Sequence, residues 1–425
     1  MGKGNNARTQ PTLLEICSMP DYATRLIMKA FRRATAATLG KYRSMLRRTT
    51  FIAVTGSAGK TTAKELINAI LSSRYKGTYT RGTMNALTPL CKTMLKVRPW
   101  HKYCIMEMGT SGKGCIREYT RYFPPDIGVV LSVGLDHYTE FRSIESIAAE
   151  KQGVVEAIPS RGTAILNADD SNVAAMADAA TGNIVRFGHD DNSDFRVLGA
   201  SSAWPDRLTL TLKSDGELHH IRTRLFGTVW VPSILAAWAV GRTMQIPDTE
   251  IARILEQFEP FPGRMSVVSH PDGVTWIRDD WKSPYWSIQH VIDFMRDARA
   301  KRKIMVFGTI SDTPGSTPPK YRTVAGKSLE VADLVIFVGR NAHYAVKPGE
   351  ENIHPSLKMF DTALEASTFL DSELRYGDLV LLKGSIRSDH IQRLYMNREK
   401  TVKCWKMDCG RMMSCYVCPL LYRES

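Results

Sequence analysis

Residues 54–62, Val-Thr-Gly-Ser-Ala-Gly-Lys-Thr-Thr, place two glycines, a lysine and two adjacent hydroxyls between an apolar run (Phe51 to Val54) and a helical apolar pattern (Ala63, Leu66, Ile67, Ile70, Leu71). Strand, glycine turn and helix start together form a seat for a nucleoside triphosphate. Glycines let the backbone curl close to phosphate oxygens, and a helix N-terminus offers free N–H groups and a favourable dipole. In that seat Lys60 lies against the β- and γ-phosphates of ATP and the Thr61 hydroxyl ligates Mg2+, while Gly56, Gly59 and Thr62 complete the turn. The spacing departs from the common eight-residue rule, because the residue five before Gly59 is Val54, not glycine. Alone, Gly-Lys-Thr would be an ordinary loop; its flanks make it a phosphate site.

The elements around this loop alternate strand-like runs with helical patterns, which predicts an α/β fold. Strands are expected at 51–55, 103–107, 127–132 and 163–166. At 194–225 Leu208, Leu210 and Leu212 alternate with Thr209 and Thr211, the pattern of an antiparallel region with one wet face. A helix follows at 232–244. Phe261-Pro262-Gly263-Arg264 reads as a linker, after which buried parallel strands are expected at 303–308, 333–339 and 378–384. The organisation predicted is a basic helical segment (1–50), a central P-loop-type ATPase domain with a mostly parallel sheet (51–262), a smaller Rossmann-like α/β domain (263–400) and a cysteine-rich tail (401–425).

The chain has 425 residues and a formal charge of +14, which favours an acidic partner. No run approaches the roughly 20 apolar residues of a membrane span, and the first residues lack the apolar core of a secretion signal; the chain reads as cytoplasmic. Basic residues crowd the stretch before the glycine loop (Arg25, Lys29, Arg32, Arg33, Lys41, Arg43, Arg47, Arg48), interleaved with Leu26, Ile27, Phe31, Leu39, Tyr42, Met45 and Leu46. This is either an amphipathic helix on an anionic inner-membrane surface or a protein partner, or a lead-in helix packed on the first domain, the preferred reading. Cys17, Cys91, Cys104 and Cys115 are scattered and read as reduced and buried.

Further segments follow in order: Asn85 after Gly82-Thr83-Met84; Glu107-Met108-Gly109; Asp136-His137; Glu150-Lys151; Asn167-Ala168-Asp169-Asp170; Pro262-Gly263-Arg264; Arg278-Asp279-Asp280; and Lys383-Gly384-Ser385. Each is weak alone: a strand-end glutamate is usually solvated, and a helical lysine usually lies at the surface. The ordered set, over residues 50 to 395, resembles the Mur ligase family, nearest its MurF-like branch, whose members use ATP to join a carboxylate to an amine. The resemblance implies that Lys60 and Thr61 hold ATP phosphates and one Mg2+. Glu107 would be a Mg2+ ligand and His137 a ligand of a second metal, while Lys151 would carry a CO2-derived carbamate that helps position magnesium. Asn85, Asn167 and Asp169 would flank the nucleotide, Arg264 and Asp280 would reach it from the last domain, and Lys383 and Ser385 would face the amine. A small or lipid-linked carboxylate and an amino acid or other amine are the substrates so implied.

Three departures qualify the match. Only about 50 residues precede the glycine loop, so a domain for a UDP-linked sugar peptide is not expected. The family's His-Asn pair is replaced within Gly227-Thr228-Val229-Trp230-Val231-Pro232-Ser233, where Trp230 either stacks on adenine or belongs to the core, the latter preferred. The family's Asp-Asp-Ser-Tyr-Asn-Ala-Asn-Pro stretch shortens to Asp279-Asp280-Trp281-Lys282-Ser283-Pro284. At the C-terminus Cys404-x4-Cys409-x5-Cys415-x2-Cys418 suits a tetrahedral Zn2+ site, with a free thiol cluster or a disordered tail as alternatives. A regulatory ATP-binding relative that docks a partner is the second functional reading. A nucleic-acid-dependent ATPase is disfavoured, since no nucleic-acid module is recognised.

Overall fold

The computed structural model describes residues 22–423 apart from 137, 351–352, 387, 408 and 412–413. The described residues form two sheets. The larger comprises β1 (Thr50–Thr55), β2 (Gly77–Tyr79), β3 (Tyr103–Glu107), β4 (Ile127–Val130), β5 (Thr163–Asn167), β6 (Asn183–Gly188), β7 (Phe195–Ser201), β8 (Thr209–Ser214) and β9 (Glu217–Arg222), in the order β2-β3-β1-β4-β5-β6-β7-β8-β9. Pairing is parallel from β2 to β7, and antiparallel where the leucine–threonine alternation lies, at β7/β8 and β8/β9. β1, β3, β4 and β5 are buried over nearly all their length, as strands covered on both faces must be.

Register places the chemistry. Val54, the last strand residue before Thr55 and the glycine turn, is opposite Glu107 of β3. The same end of β1 lies beside Val129 and Val130 of β4, so the chain leaving β4 at Leu131 emerges on the turn's other side. Ligands of open parallel sheets gather at such carboxyl ends.

The helix Tyr22–Met45 packs on this unit. Ala36, Leu39 and the following Leu46 are buried with Phe51 and Met94. Arg43 pairs with Asp126 at 2.8 Å and covers the Phe51 ring at 3.8 Å, while Arg33 pairs with Glu118 at 2.6 Å. This is the packed lead-in helix. No helix among the described residues is long and apolar enough to cross a membrane.

The second sheet comprises β10 (Ser266–Ser269), β11 (Thr275–Asp279), β12 (Arg302–Phe307), β13 (Leu334–Val338), β14 (Leu357–Phe360) and β15 (Asp378–Lys383), ordered β10-β11-β15-β12-β13-β14 and parallel except for β10. β12, β13 and β15 are the three strands legible in the sequence. β10, β11 and β14 lack long apolar runs and were not expected. An apolar seam joins the two units: Met265 and Phe294 close on Gly227, and the Arg299 N–H donates to the Trp204 carbonyl at 2.8 Å.

Candidate active site

The turn after β1 is strapped to the chain leaving β4. The Ser57 N–H donates to the Ser132 carbonyl (2.9 Å), the Ala58 N–H to the Ser132 hydroxyl (3.0 Å), and the Gly134 N–H to the Ser57 hydroxyl (2.8 Å). Gly59 is required twice. Its φ of 75° is left-handed, and a Cβ there would meet Ser233 Oγ at 2.7 Å. The helix Lys60–Ser72 begins immediately after it with no side-chain cap, leaving first-turn N–H groups available to an anion. Lys60 Nζ curls back to the Gly56 and Ser57 carbonyls.

Beside this turn Glu107 is almost fully enclosed. It accepts from Thr61 Oγ1 at 3.1 Å and Asn85 Nδ2 at 3.2 Å, and lies 3.3 Å from Lys64 Nζ. Asn85 fits because Gly109 has no side chain; a Cβ there would lie 2.5 Å from the Asn85 amide carbon. From the helix Ile144–Glu156, Lys151 enters the same space while its neighbour Glu150 turns away to cap the Gly114 and Ile116 N–H groups at 2.6 and 2.7 Å. Burial, reinforced by the Lys60 charge, pushes the Lys151 ammonium down to about 7; Asp136 and Glu150 partly oppose this. Burial also lowers Lys60, opposed by Asp136 and Glu107.

The second unit forms the facing wall. Arg264 follows the turn at Gly263 (φ 76°) and looks into the cleft; burial lowers its pKa, opposed first by Asp279 and then by Glu107. Lys383 Nζ donates to Asp279 at 2.6 Å and to the Lys282 carbonyl at 3.2 Å. Lys282 crosses the cleft to Asp136 at 2.9 Å. Between the walls lies a cavity of about 840 Å3, reached by Lys60, Thr61, Thr62, Asn85, Glu107 and Lys151 from one side and by Arg264, Asp279, Lys282, Lys383 and Ser385 from the other. An apolar arm holds Trp230, Met265, Val291 and Phe294. Trp230 is thus both buried and part of the cleft wall. Lys60, Arg264, Lys282 and Lys383 bring cationic groups to this cavity, which suits a polyphosphate.

A family model of the Mur ligase middle domain matches residues 54–241, and one of the Mur ligase glutamate ligase domain matches residues 263–386. The chain belongs to the Mur ligase family. A UDP-N-acetylmuramoyl-tripeptide–D-alanyl-D-alanine ligase of Mycobacterium tuberculosis is 29% identical over 361 residues, covering 79% of this chain and 70% of the relative. The crystal structure of MurF from Acinetobacter baumannii superposes with a TM-score of 0.77 at 25% identity, covering 86% of this chain and 80% of that one. MurF ligase from Thermotoga maritima in complex with ADP gives 0.77 at 22% identity, covering 87% and 84%. This Mur ligase is an ATP-dependent enzyme that joins a carboxylate to an amine.

Several expected contacts of the Mur ligase lie elsewhere. Asp280 does not face the cleft: it is fully buried and bonds Arg278 at 3.1 Å, whose guanidinium packs over Tyr395 and Tyr416. Alternation along β11 turns Asp279 to the cleft instead. Asn167 and Asp169 also stand behind the wall. Asn167 Nδ2 donates to the Leu131 carbonyl at 2.8 Å, and Asp169 pairs with His189 at 2.8 Å, so they brace strand ends rather than line the cavity. Gly56 likewise shapes the turn from behind. His137 lies outside the described residues.

The tetrahedral four-thiolate site is not assembled; among the described residues no group of three or more potential ligands is arranged to hold a metal. The tail packs as core instead. Cys415 is buried with Leu394, Tyr395, Val402 and Leu421, and accepts from Arg393 Nε at 3.3 Å. Cys415 and Cys409 face opposite nitrogens of one imidazole, His390, at 3.5 and 3.7 Å. Cys404, half-buried, has its N–H on the Leu421 carbonyl, and Cys418 is half-buried. Asp136, Asp279, Lys282 and Trp286 are cleft residues that sequence reasoning passed over. Asp136 and Asp279 each adjoin a residue that was chosen, and the altered stretch after Asp280 marked Lys282.

Proposed function

We propose that this Mur ligase phosphorylates a peptide carboxylate of an envelope-type precursor with ATP and transfers the acyl group to the amine of a small dipeptide, in the cytoplasm. The observation that carries this is the convergence of Lys60, Thr61, Glu107 and Lys151 on one cavity faced by Arg264 and Lys383. The name of the mycobacterial relative supports the substrate class.

The substrate carboxylate attacks the γ-phosphorus, ADP leaves, and an acyl phosphate forms. The amine then attacks the acyl carbon, and phosphate departs with the bond electrons. Lys60 and the first-turn N–H groups hold the phosphates and offset charge on the transferred group. Arg264 holds the nucleotide from the opposite wall, and the closed walls keep water from the acyl phosphate. Ser385 borders the amine side. Lys383, tied to Asp279, holds that loop in place.

Thr61 and Glu107 supply hard oxygen donors beside the phosphate seat, a set that suits Mg2+, which takes a carboxylate, a hydroxyl and phosphate oxygens. Mg2+ bound there would neutralise phosphate charge. Lys151, held near neutrality, is chemically able to react with CO2, because the free amine is the nucleophile and the carbamate releases a proton. The anion so formed would face Lys60.

The test is ADP release and coupled product by mass spectrometry, using purified chain, Mg·ATP, UDP-N-acetylmuramoyl-tripeptide or shorter peptide acids, and D-alanyl-D-alanine or other dipeptides. Formation of ADP that requires both acid and amine supports the reading. ATP binding without turnover on any pair sinks it in favour of a regulatory ATP-binding role.

A further inference from the structure

Two polar or packing contacts cross the cleft beside the phosphate turn, one from the stretch that departs from the family pattern and one from just after it. Lys282 Nζ reaches Asp136 Oδ1 at 2.9 Å; the lysine side chain is 42% exposed, whereas the carboxylate it meets is only 5% exposed. A few residues on, the Trp286 ring lies against Gly134; a Cβ at Gly134 would stand 3.3 Å from it. Their targets are tied to the phosphate turn: Asp136 N–H donates to the Gly134 carbonyl, and Gly134 N–H donates to the Ser57 hydroxyl. Within its own unit Lys282 is anchored by its carbonyl, which accepts from Lys383 Nζ at 3.2 Å. The contacts of Arg299 with Trp204 and Asp206 lie instead at the apolar seam, and the Arg299–Asp206 pair is exposed on both sides.

We propose that Lys282 is a positioning residue of this ligase: its ion pair with Asp136, seconded by Trp286 on Gly134, clasps the second unit over the phosphate turn. With its carboxylate enclosed and its lysine partly in solvent, the pair carries more weight than one exposed on both sides and less than a fully buried one. The clasp also brings a cation near the phosphate-holding lysines, since the Lys282 charge is felt by both Lys60 and Lys151. In the proposed ATP complex that cation would add to the charge around the terminal phosphate. The inference rests on the ATP-dependent reading only for that last consequence; the clasp itself is a property of the protein alone.

The experiment uses the full chain and its Lys282→Ala, Lys282→Arg, Asp136→Asn and Lys282→Ala/Asp136→Asn variants. Small-angle scattering without nucleotide measures closure. Calorimetric titration with Mg·AMPPNP and Mg·ADP measures the seat. Lys282→Ala should enlarge the radius of gyration and weaken AMPPNP about tenfold, with a smaller loss for ADP. Lys282→Arg should recover most of both, and the double variant should be no worse than the single ones. Unchanged scattering and AMPPNP affinity in Lys282→Ala overturn the proposal, as does an equal defect in the arginine variant. Should the wild-type chain bind neither nucleotide while Lys282→Ala still opens it, the clasp stands and the ATP reading fails.

Discussion

The two walls of the cleft are built differently. The wall after β1 and β3 is held mainly through backbone groups: the Ser57 and Ala58 N–H groups bond Ser132 of the chain leaving β4, the Gly134 N–H of that chain bonds the Ser57 hydroxyl, and Glu107 is fixed by strand register opposite Val54. The wall after β11 and β15 is held by side-chain charge: Lys383 on Asp279, Arg278 on Asp280, and Lys282 reaching across to Asp136. Backbone ladders tolerate little displacement, whereas ion pairs can exchange partners for phosphate oxygens. The first wall is therefore suited to hold phosphate, and the second to close on it and move with turnover.

The largest effect should come from breaking the first wall. Lys60→Ala removes the enclosed cation proposed to face the transferred phosphoryl group, and kcat/KM for ADP formation should fall by about 10³ or more, roughly 4 kcal/mol of transition-state stabilisation. Circular dichroism and melting should stay near wild type, because a lysine whose charge is disfavoured by burial contributes little to the fold. A fall of less than about fivefold would mean that the turn holds no reacting phosphate.

Lys151 gives the next effect and a pH signature. With the folded ammonium titrating at about 7, the neutral amine forms as pH rises through that value, so bicarbonate-dependent activity should increase from pH 6 to pH 8. In the unfolded chain the same lysine keeps its proton to about 10.5. Its contribution to stability therefore grows with pH between about 7 and that value. Lys151→Ala should lower turnover about 100-fold, with partial rescue by formate. Turnover independent of bicarbonate, with no rescue, would leave Lys151 a positioning cation.

How much of this was legible follows the same division. The first wall is written in short contiguous strings, so Gly59, Lys60 and Thr61 could be found from residue types, and Glu107 and Lys151 from the family order of the segments that hold them. The second wall is assembled from segments near 264, 279–286 and 383–385 that meet only once β11 and β15 pair. There a one-residue shift reverses the face, which is why Asp280 was chosen where Asp279 lines the cleft. Asn167 and Asp169 sit at the correct strand end, but bracing and binding residues look alike in sequence. The fold read well where strands are apolar throughout. It read poorly at β10, β11 and β14, whose polar or short runs carry no such signal. The tail misled because cysteine spacing records neither burial nor direction.

Asp389 sharpens the comparison at a smaller scale. It lies behind the second wall and accepts the N–H groups of Thr309 and Ser385, each at 2.7–2.8 Å, so one carboxyl orders the loops after β12 and β15. Burial pushes it up to about 7, while the unfolded value is 3.8. A raised folded pKa means that its contribution to stability is complete below about 3.8 and is lost as pH rises through about 7. The stability difference between wild type and Asp389→Asn should therefore shrink over that window, by on the order of 4 kcal/mol, in urea melts at pH 4 and pH 8. A constant difference would show that the carboxyl ionises freely in the fold.

The smallest effects should lie furthest from the cleft, in the tail. Cys415 is packed with Tyr395 and Leu421 and accepts from Arg393, so Cys415→Ser should cost about 1 kcal/mol by placing a hydroxyl among apolar neighbours. Cys404→Ser, at a half-buried position, should stay within about 0.5 kcal/mol. A chelator should leave the melting temperature unchanged, because the described tail is held by packing. One zinc per chain after purification, with a chelator-induced drop of several degrees, would mean that the thiols rearrange around a metal. The second wall would then be held by a coordinate bond behind it, and its freedom to close, set against the backbone-fixed first wall, would be smaller than its ion pairs suggest.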